Sequence, residues 1–207
     1  MLTIMRFSNN YRPSQFGFSM MEILVTLFII MIGLLGIIAL QGKANIAELE
    51  VYQRSQALII MSDIVDRING NRATAQCFAI TTDIANGTPY IGPGTNNVGT
   101  PSCTASTSAY NNRAITAMTE VNDFLQGTSE QVSGDVAAII DGRACISYDS
   151  TKELGGKAGT GLYTVIVTWR AMGDLPEPEG MDCAKNEYGP ETKRRAVSTS
   201  FRLANLI

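Results

Sequence analysis

The amino-acid sequence predicts an α+β protein, one long N-terminal α-helix packed on a small antiparallel β-sheet of three to four strands. Three observations lead there. Residues 23–40 form an uncharged apolar run; a three-to-four spaced amphipathic pattern continues from it to about Ile68; and the strand-like segments all lie beyond residue 143.

The helix opens on a polar leader. Residues 1–17 contain Arg6 and Arg12 and neither Asp nor Glu, the charge bias that holds the N-terminal side of a membrane segment in the cytoplasm. Phe18–Leu40 follows, roughly 35 Å of helix at about 1.5 Å per residue, long enough to cross a hydrocarbon core of about 30 Å. Glu22 lies at its mouth. A carboxylate deep in a bilayer costs about 2.5 kcal/mol or more, and less near a helix end, so a compensating partner is expected. A cleaved secretory signal competes with a retained span. Its apolar region is usually about 7–15 residues long, and the nearest small-x-small site here, Gly42-Lys43-Ala44, has a lysine in the middle. Gly33 and Gly36 lie inside the span, where small residues let helices approach closely and where glycine is also simply common.

The second half of the helix is amphipathic. Ile46, Leu49, Tyr52/Gln53, Ala57, Ile60/Met61, Ile64/Val65 and Ile68 recur on one stripe among charged neighbours, and Asn69-Gly70-Asn71 supplies the stop. The chain divides accordingly into residues 1–17, 18–40, 41–70 and a globular part over 71–207.

In the globular part, residues 81–112 are rich in Thr, Asn, Gly, Pro and Ser and read as irregular connection. Ala114, Ile115, Met118, Val121, Phe124 and Leu125 predict a short helix over 113–126. Strands are expected at Ala144–Tyr148, Leu162–Arg170 and Ala196–Leu203. A glycine-rich turn, Gly155–Gly159, separates the first two, and a proline-bearing loop, Met172–Thr192, separates the last two. The four cysteines are Cys77, Cys103, Cys145 and Cys183, all on the exported side of the helix. Two disulfides are expected in an oxidising compartment, and four cysteines allow three connectivities. Cys77–Cys103 and Cys145–Cys183 is the pairing in which each bridge closes one subregion.

Gly17-Phe18-Ser19-Met20-Met21-Glu22, followed by the apolar helix, resembles the class III signal of type IV pilins and type II secretion pseudopilins. The resemblance implies the type IV pilin fold and cleavage between Gly17 and Phe18 by a prepilin peptidase. It also implies N-methylation of Phe18, which makes Glu22 the fifth mature residue. Glu22 would then pair with the terminal amine of a neighbouring subunit, since opposite charges at low dielectric favour each other's ionised form. Reaching back to its own terminus or to headgroups is the simpler role for the same side chain. The Met61-Ser62-Asp63-Ile64-Val65-Asp66-Arg67-Ile68-Asn69-Gly70-Asn71-Arg72 ending is similar to that of PilV-type minor pilins, departing from it where Ser62-Asp63-Ile64-Val65 separates Met61 from Asp66. Gly33-Leu34-Leu35-Gly36 and Leu40-Gln41 are similar to that group as well. That similarity implies a minor pilin of a Gram-negative bacterium, its helix in the inner membrane and its head in the periplasm before it enters an extracellular pilus. The implied partners are the prepilin peptidase, other minor pilins, the major pilin and the inner-membrane assembly platform. A type II secretion pseudopilin and an adhesive or DNA-uptake module are the rival readings.

Several chemistries have no support. There is no histidine, which excludes the Ser-His, Cys-His and H-E-x-x-H sites, and no cofactor is expected. Removing residues 1–17 leaves 14 basic against 19 acidic side chains, a net charge of −5, which gives no bulk attraction for nucleic acid. Gly155-Gly156-Lys157-Ala158 lacks the Ser or Thr of a phosphate loop. Asp174, Glu177, Glu179 and Asp182 offer oxygens that calcium could use, but a solvated acidic loop explains them more simply. Lys193-Arg194-Arg195 reads as a charged strand opening that discourages edge pairing. Asn86-Gly87-Thr88 fits a glycosylation sequon and, first, a turn.

Overall fold

Ser19 starts the first helix. In the computed structural model of the protein, residues 17–127 and 139–204 are described; the leader arginines Arg6 and Arg12 lie outside them. Helix α1 spans Met20–Gly70, 51 residues without a break, where the sequence pattern placed Phe18 to Ile68. The chain divides into two compact units at Asn45/Ile46, within α1.

In the first unit every described side chain is exposed. The most apolar 18-residue window of α1 has a mean hydropathy of 3.1 and none of it is buried. An uncovered apolar surface of this extent is unstable in water and calls for lipid or protein around it. Thr26 Oγ1 donates to the Ile23 carbonyl at 2.8 Å, so the one hydroxyl amid this run is satisfied within the helix.

The second unit contains the remainder of α1, helix α2 (Ser108–Leu125) and strands β1 (Arg143–Asp149), β2 (Leu162–Arg170) and β3 (Arg194–Arg202). The strands form one antiparallel sheet in the order β1-β2-β3, with Cys145 opposite Ile166 and Val167 opposite Val197. This is the predicted α+β class with three strands. One core joins three surfaces: Ala57, Ile60, Ile64 and Ile68 of α1, Ala114, Met118, Val121 and Leu125 of α2, and Ile146, Val165, Val167 and Trp169 of the sheet. The alternate residues Cys145 and Ile166 face a second cluster with Cys183, Ala184 and Tyr188. Burial on both faces explains why Val165–Trp169 reads as nearly continuous apolar sequence.

Three differences from the sequence pattern have physical causes. Ile46 and Leu49 remain 43% and 45% exposed, so the buried stripe starts only at Gln53. Helix α2 begins at Ser108, five residues before the apolar spacing does. Its first turn is polar and is held locally: Asn111 N–H donates to the Thr107 carbonyl, and the Asn111 side chain bonds both the N–H and the carbonyl of Ser106. Finally, a 3₁₀ stretch, Arg72–Phe78, follows α1 directly and buries Thr74, Ala75 and Phe78.

Candidate functional site

The N-terminal site is built from one tight turn. Gly17, Phe18 and Ser19 precede the helix. The Ser19 hydroxyl oxygen accepts from the Glu22 N–H at 3.2 Å, and the Ser19 carbonyl accepts from the same N–H at 3.0 Å. Ser19-Met20-Met21-Glu22 thus has the spacing of a capping box, Ser at the N-cap and an acid at the third helical position. Glu22 lies in the first turn, where the positive end of the helix dipole favours a carboxylate. The Ser-x-x-Glu spacing is itself the sequence signal of this cap. Phe18, on the other side of the cap, is 81% exposed. Around Gly33 and Gly36 nothing beyond the chain neighbours and the helix's own backbone lies within 4 Å of where a Cβ would stand, so close approach there is open to another chain.

The disulfides join Cys77 to Cys103 and Cys145 to Cys183, with no free cysteine among the described residues. The first ties the 3₁₀ stretch after α1 to the irregular segment before α2. The second ties β1 to the loop between β2 and β3. Gly87 packs beside it with φ +62°, where a Cβ would run into the Asp182 carbonyl. Only glycine fits that approach.

Two arginines are buried in this region. Arg143 lies with its guanidinium carbon 4.5 Å from the Tyr188 ring centroid and 5.4 Å from that of Tyr90, and its Nη2 is 3.1 Å from Asp141. Burial alone would lower its pKa, but Tyr188, Asp141 and Tyr90 outweigh it and the net shift is upward. Burial likewise pushes the Tyr188 hydroxyl up to about 12, against the opposing pull of Arg143 and a hydrogen bond with Thr168. Arg194 is 1% exposed; its Nε donates to Glu191 Oε2 at 2.6 Å and its Nη1 to the Met181 carbonyl. Lys193-Arg194-Arg195 is therefore no exposed charged opening. Lys193 pairs with Asp174, Arg194 with Glu191 and Arg195 with Glu50, and this satisfaction is what lets the strand start bury its charge.

The remaining sequence candidates separate. Asp174 is drawn to Thr192 and Lys193, which hold its pKa below the usual carboxylate range, and Asp182 is paired with Lys185. Among the described residues no three acidic, cysteine or histidine side chains gather as a metal site would require. The Gly155–Gly159 turn is pinned by Tyr148, whose hydroxyl oxygen accepts from the N–H groups of Gly159 and Gly161 and donates to Glu153. In the sequon, the Asn86 amide donates to Asp83 at 2.7 Å.

A family model described as the prokaryotic N-terminal methylation motif matches residues 12–38. No curated protein and no solved structure matches the chain. The chain carries a type IV prepilin-like N-terminus on an α+β arrangement that matches the type IV pilin fold, and is pilin-like or pseudopilin-like; among the described residues one helix is long and apolar enough to cross a membrane.

Proposed function

We propose that the chain is a minor pilin of a type IV pilus, a non-enzymatic subunit that joins filament assembly or helps initiate it. The observation that carries this reading is the juxtaposition at the head of α1. A methylation motif leads through Gly17 and Phe18 into Glu22, in the capped first turn of a helix whose most apolar stretch is uncovered. The prepilin peptidase cuts after Gly17, leaving the amine of Phe18 close to Glu22 in sequence. The helix waits in the inner membrane with the globular part in the periplasm. It then leaves the lipid for a filament in which helices of the other minor pilins and the major pilin cover the same surface. Glu22 sets register there by pairing with the amine of a neighbouring subunit, because each charge offsets the other's desolvation.

Mass spectrometry of the native protein tests the processing step, with the mature chain expected to begin at a methylated Phe18. A chain beginning at Met1 or at Asn45 would sink the reading. Deleting the gene and scoring surface pili by microscopy, with and without retraction, tests the role. Unchanged piliation together with impaired type II secretion would assign the protein to a pseudopilus instead.

A further inference from the structure

Among the described residues the sheet has one used edge and one free edge. Beyond β1, the Thr81 N–H donates to the Ile146 carbonyl, and Ile91 and Ala144 exchange a pair of backbone hydrogen bonds. Beyond β3 there is no counterpart: among the described residues, the backbone of Ala196–Arg202 makes no hydrogen bond except to β2. β3 is nine residues long, about 30 Å of strand at roughly 3.3 Å per residue. Natural edges of that length are blunted by proline, lysine, a bulge or a covering element. Val197–Phe201 contains no charge and no proline, and its pairing with β2 runs without interruption from Arg194 to Arg202.

Charge distinguishes the two ends of this edge. At the opening end Lys193, Arg194 and Arg195 are each neutralised within the chain. At the closing end Arg202 is exposed, and Arg72 reaches the carbonyl of Ala204 at 3.5 Å. Asp149 feels the charge of Arg202, but neither arginine makes an ion pair among the described residues. A second copy is a poor occupant. Symmetric antiparallel pairing of two β3 strands about Ser198 would set Arg202 against Arg194, whose charge Glu191 already meets, so a second copy brings no acid to Arg202.

We propose that the free edge of β3 accepts an extended segment of a different protein chain as a fourth strand. That segment bears Asp or Glu where it passes Arg202 and Arg72. Backbone hydrogen bonds supply the affinity and the acidic side chain supplies register and selectivity. The inference rests on the filament reading and deepens it by stating the chemistry of a neighbouring subunit.

The test uses full-length protein in purified native filaments and, for comparison, in detergent. Amide exchange in filaments is expected to slow at least tenfold at alternate residues between Ala196 and Arg202, since only every second amide points outward. A photo-crosslinking amino acid at the exposed Ser198 is expected to join the chain to a different polypeptide. Arg202→Gln is expected to cut that adduct at least tenfold and Arg202→Lys to retain it, both with melting behaviour unchanged. Adducts only between copies of this chain, unaltered exchange, or an adduct indifferent to the charge at 202 would overturn the inference. The filament reading would survive all three, because the processed chain would still be found in filaments. Its absence from filaments would remove that reading and the inference with it.

Discussion

Arg195 Nη2 stands 3.3 Å from Glu50 Oε1, so the opening of β3 is held against the amphipathic part of α1 by an ion pair across 145 positions of sequence. Arg195 also donates to the carbonyls of Gly173 and Thr192, so one guanidinium gathers α1, β3 and the loop preceding it. One residue earlier, Arg194 has a single carboxylate partner, Glu191, and almost no access to water.

These two pairs should respond differently to loss of the acid. Glu50→Gln leaves Arg195 with its carbonyl acceptors and some contact with solvent, and is expected to cost about 1 kcal/mol. Glu191→Gln can keep an acceptor for Arg194 but removes the only carboxylate facing this buried charge, and is expected to cost about 3 kcal/mol. Urea unfolding of the two variants measures the contrast, and equal costs would contradict the burial argument.

Stability should fall in alkali through Tyr188. Its hydroxyl is held at about 12 by burial, from an ordinary 10.0. Above pH 10 the unfolded chain releases this proton while the folded chain keeps it, so the folded state binds more protons and stability decreases as pH rises. The contribution is fully present below about pH 10 and is lost as pH rises toward about 12. Unfolding curves between pH 9 and 11.5 are expected to show the decline, with a shallower slope in Tyr188→Phe.

The disulfides close loops of 26 and 38 residues. Chain entropy assigns them about 3.5 and about 4 kcal/mol. Replacing Cys145 and Cys183 together with Ala is therefore expected to destabilise slightly more than replacing Cys77 and Cys103. The difference widens if the second core cluster, which contains Cys145 and Cys183, fails to collapse into the cavity left behind. Denaturant midpoints of the two double variants decide the order.

Glu22→Gln separates two roles of the same side chain. Glutamine keeps the spacing and hydrogen-bonding capacity of the capping box but carries no charge. Membrane insertion and cleavage after Gly17 are expected to persist, while incorporation into filaments falls at least tenfold by quantitative immunoblotting. Normal incorporation would show that Glu22 serves the helix end and not a neighbour's amine. Ser19→Ala, which removes the cap and leaves the charge, is expected to leave incorporation intact.

Much of the fold was legible because its signals are local. The apolar run, the spacing of Ala57, Ile60, Ile64 and Ile68, and the β-branched Leu162–Arg170 segment each state a period that one element can satisfy. The bounds of β2 agree with the pattern residue for residue. The start of α2 did not show, because Ser108–Asn112 is polar and its helix is held by side-chain bonds at Asn111 that no hydrophobic period records. The processing segment showed as a motif, and its cap at Ser19 follows from a spacing that is present in the sequence.

By itself the sequence determined that this chain has an apolar helix long enough for a bilayer, a methylation-type start with a carboxylate at the helix mouth, and cysteines in even number. The helix and the cysteines follow from composition and short-range periodicity, and the methylation-type start from the resemblance of Gly17–Glu22 to a known signal; none of these needs knowledge of what packs where. Only the tertiary structure decided that Arg143 and Arg194 are interior, that Ile46 and Leu49 stay uncovered, and which edge of the sheet is open among the described residues. Such outcomes depend on partners far away in sequence: a guanidinium is buried where distant carboxylates, carbonyls and tyrosine rings converge on it, and nothing in its neighbouring residues announces that they will.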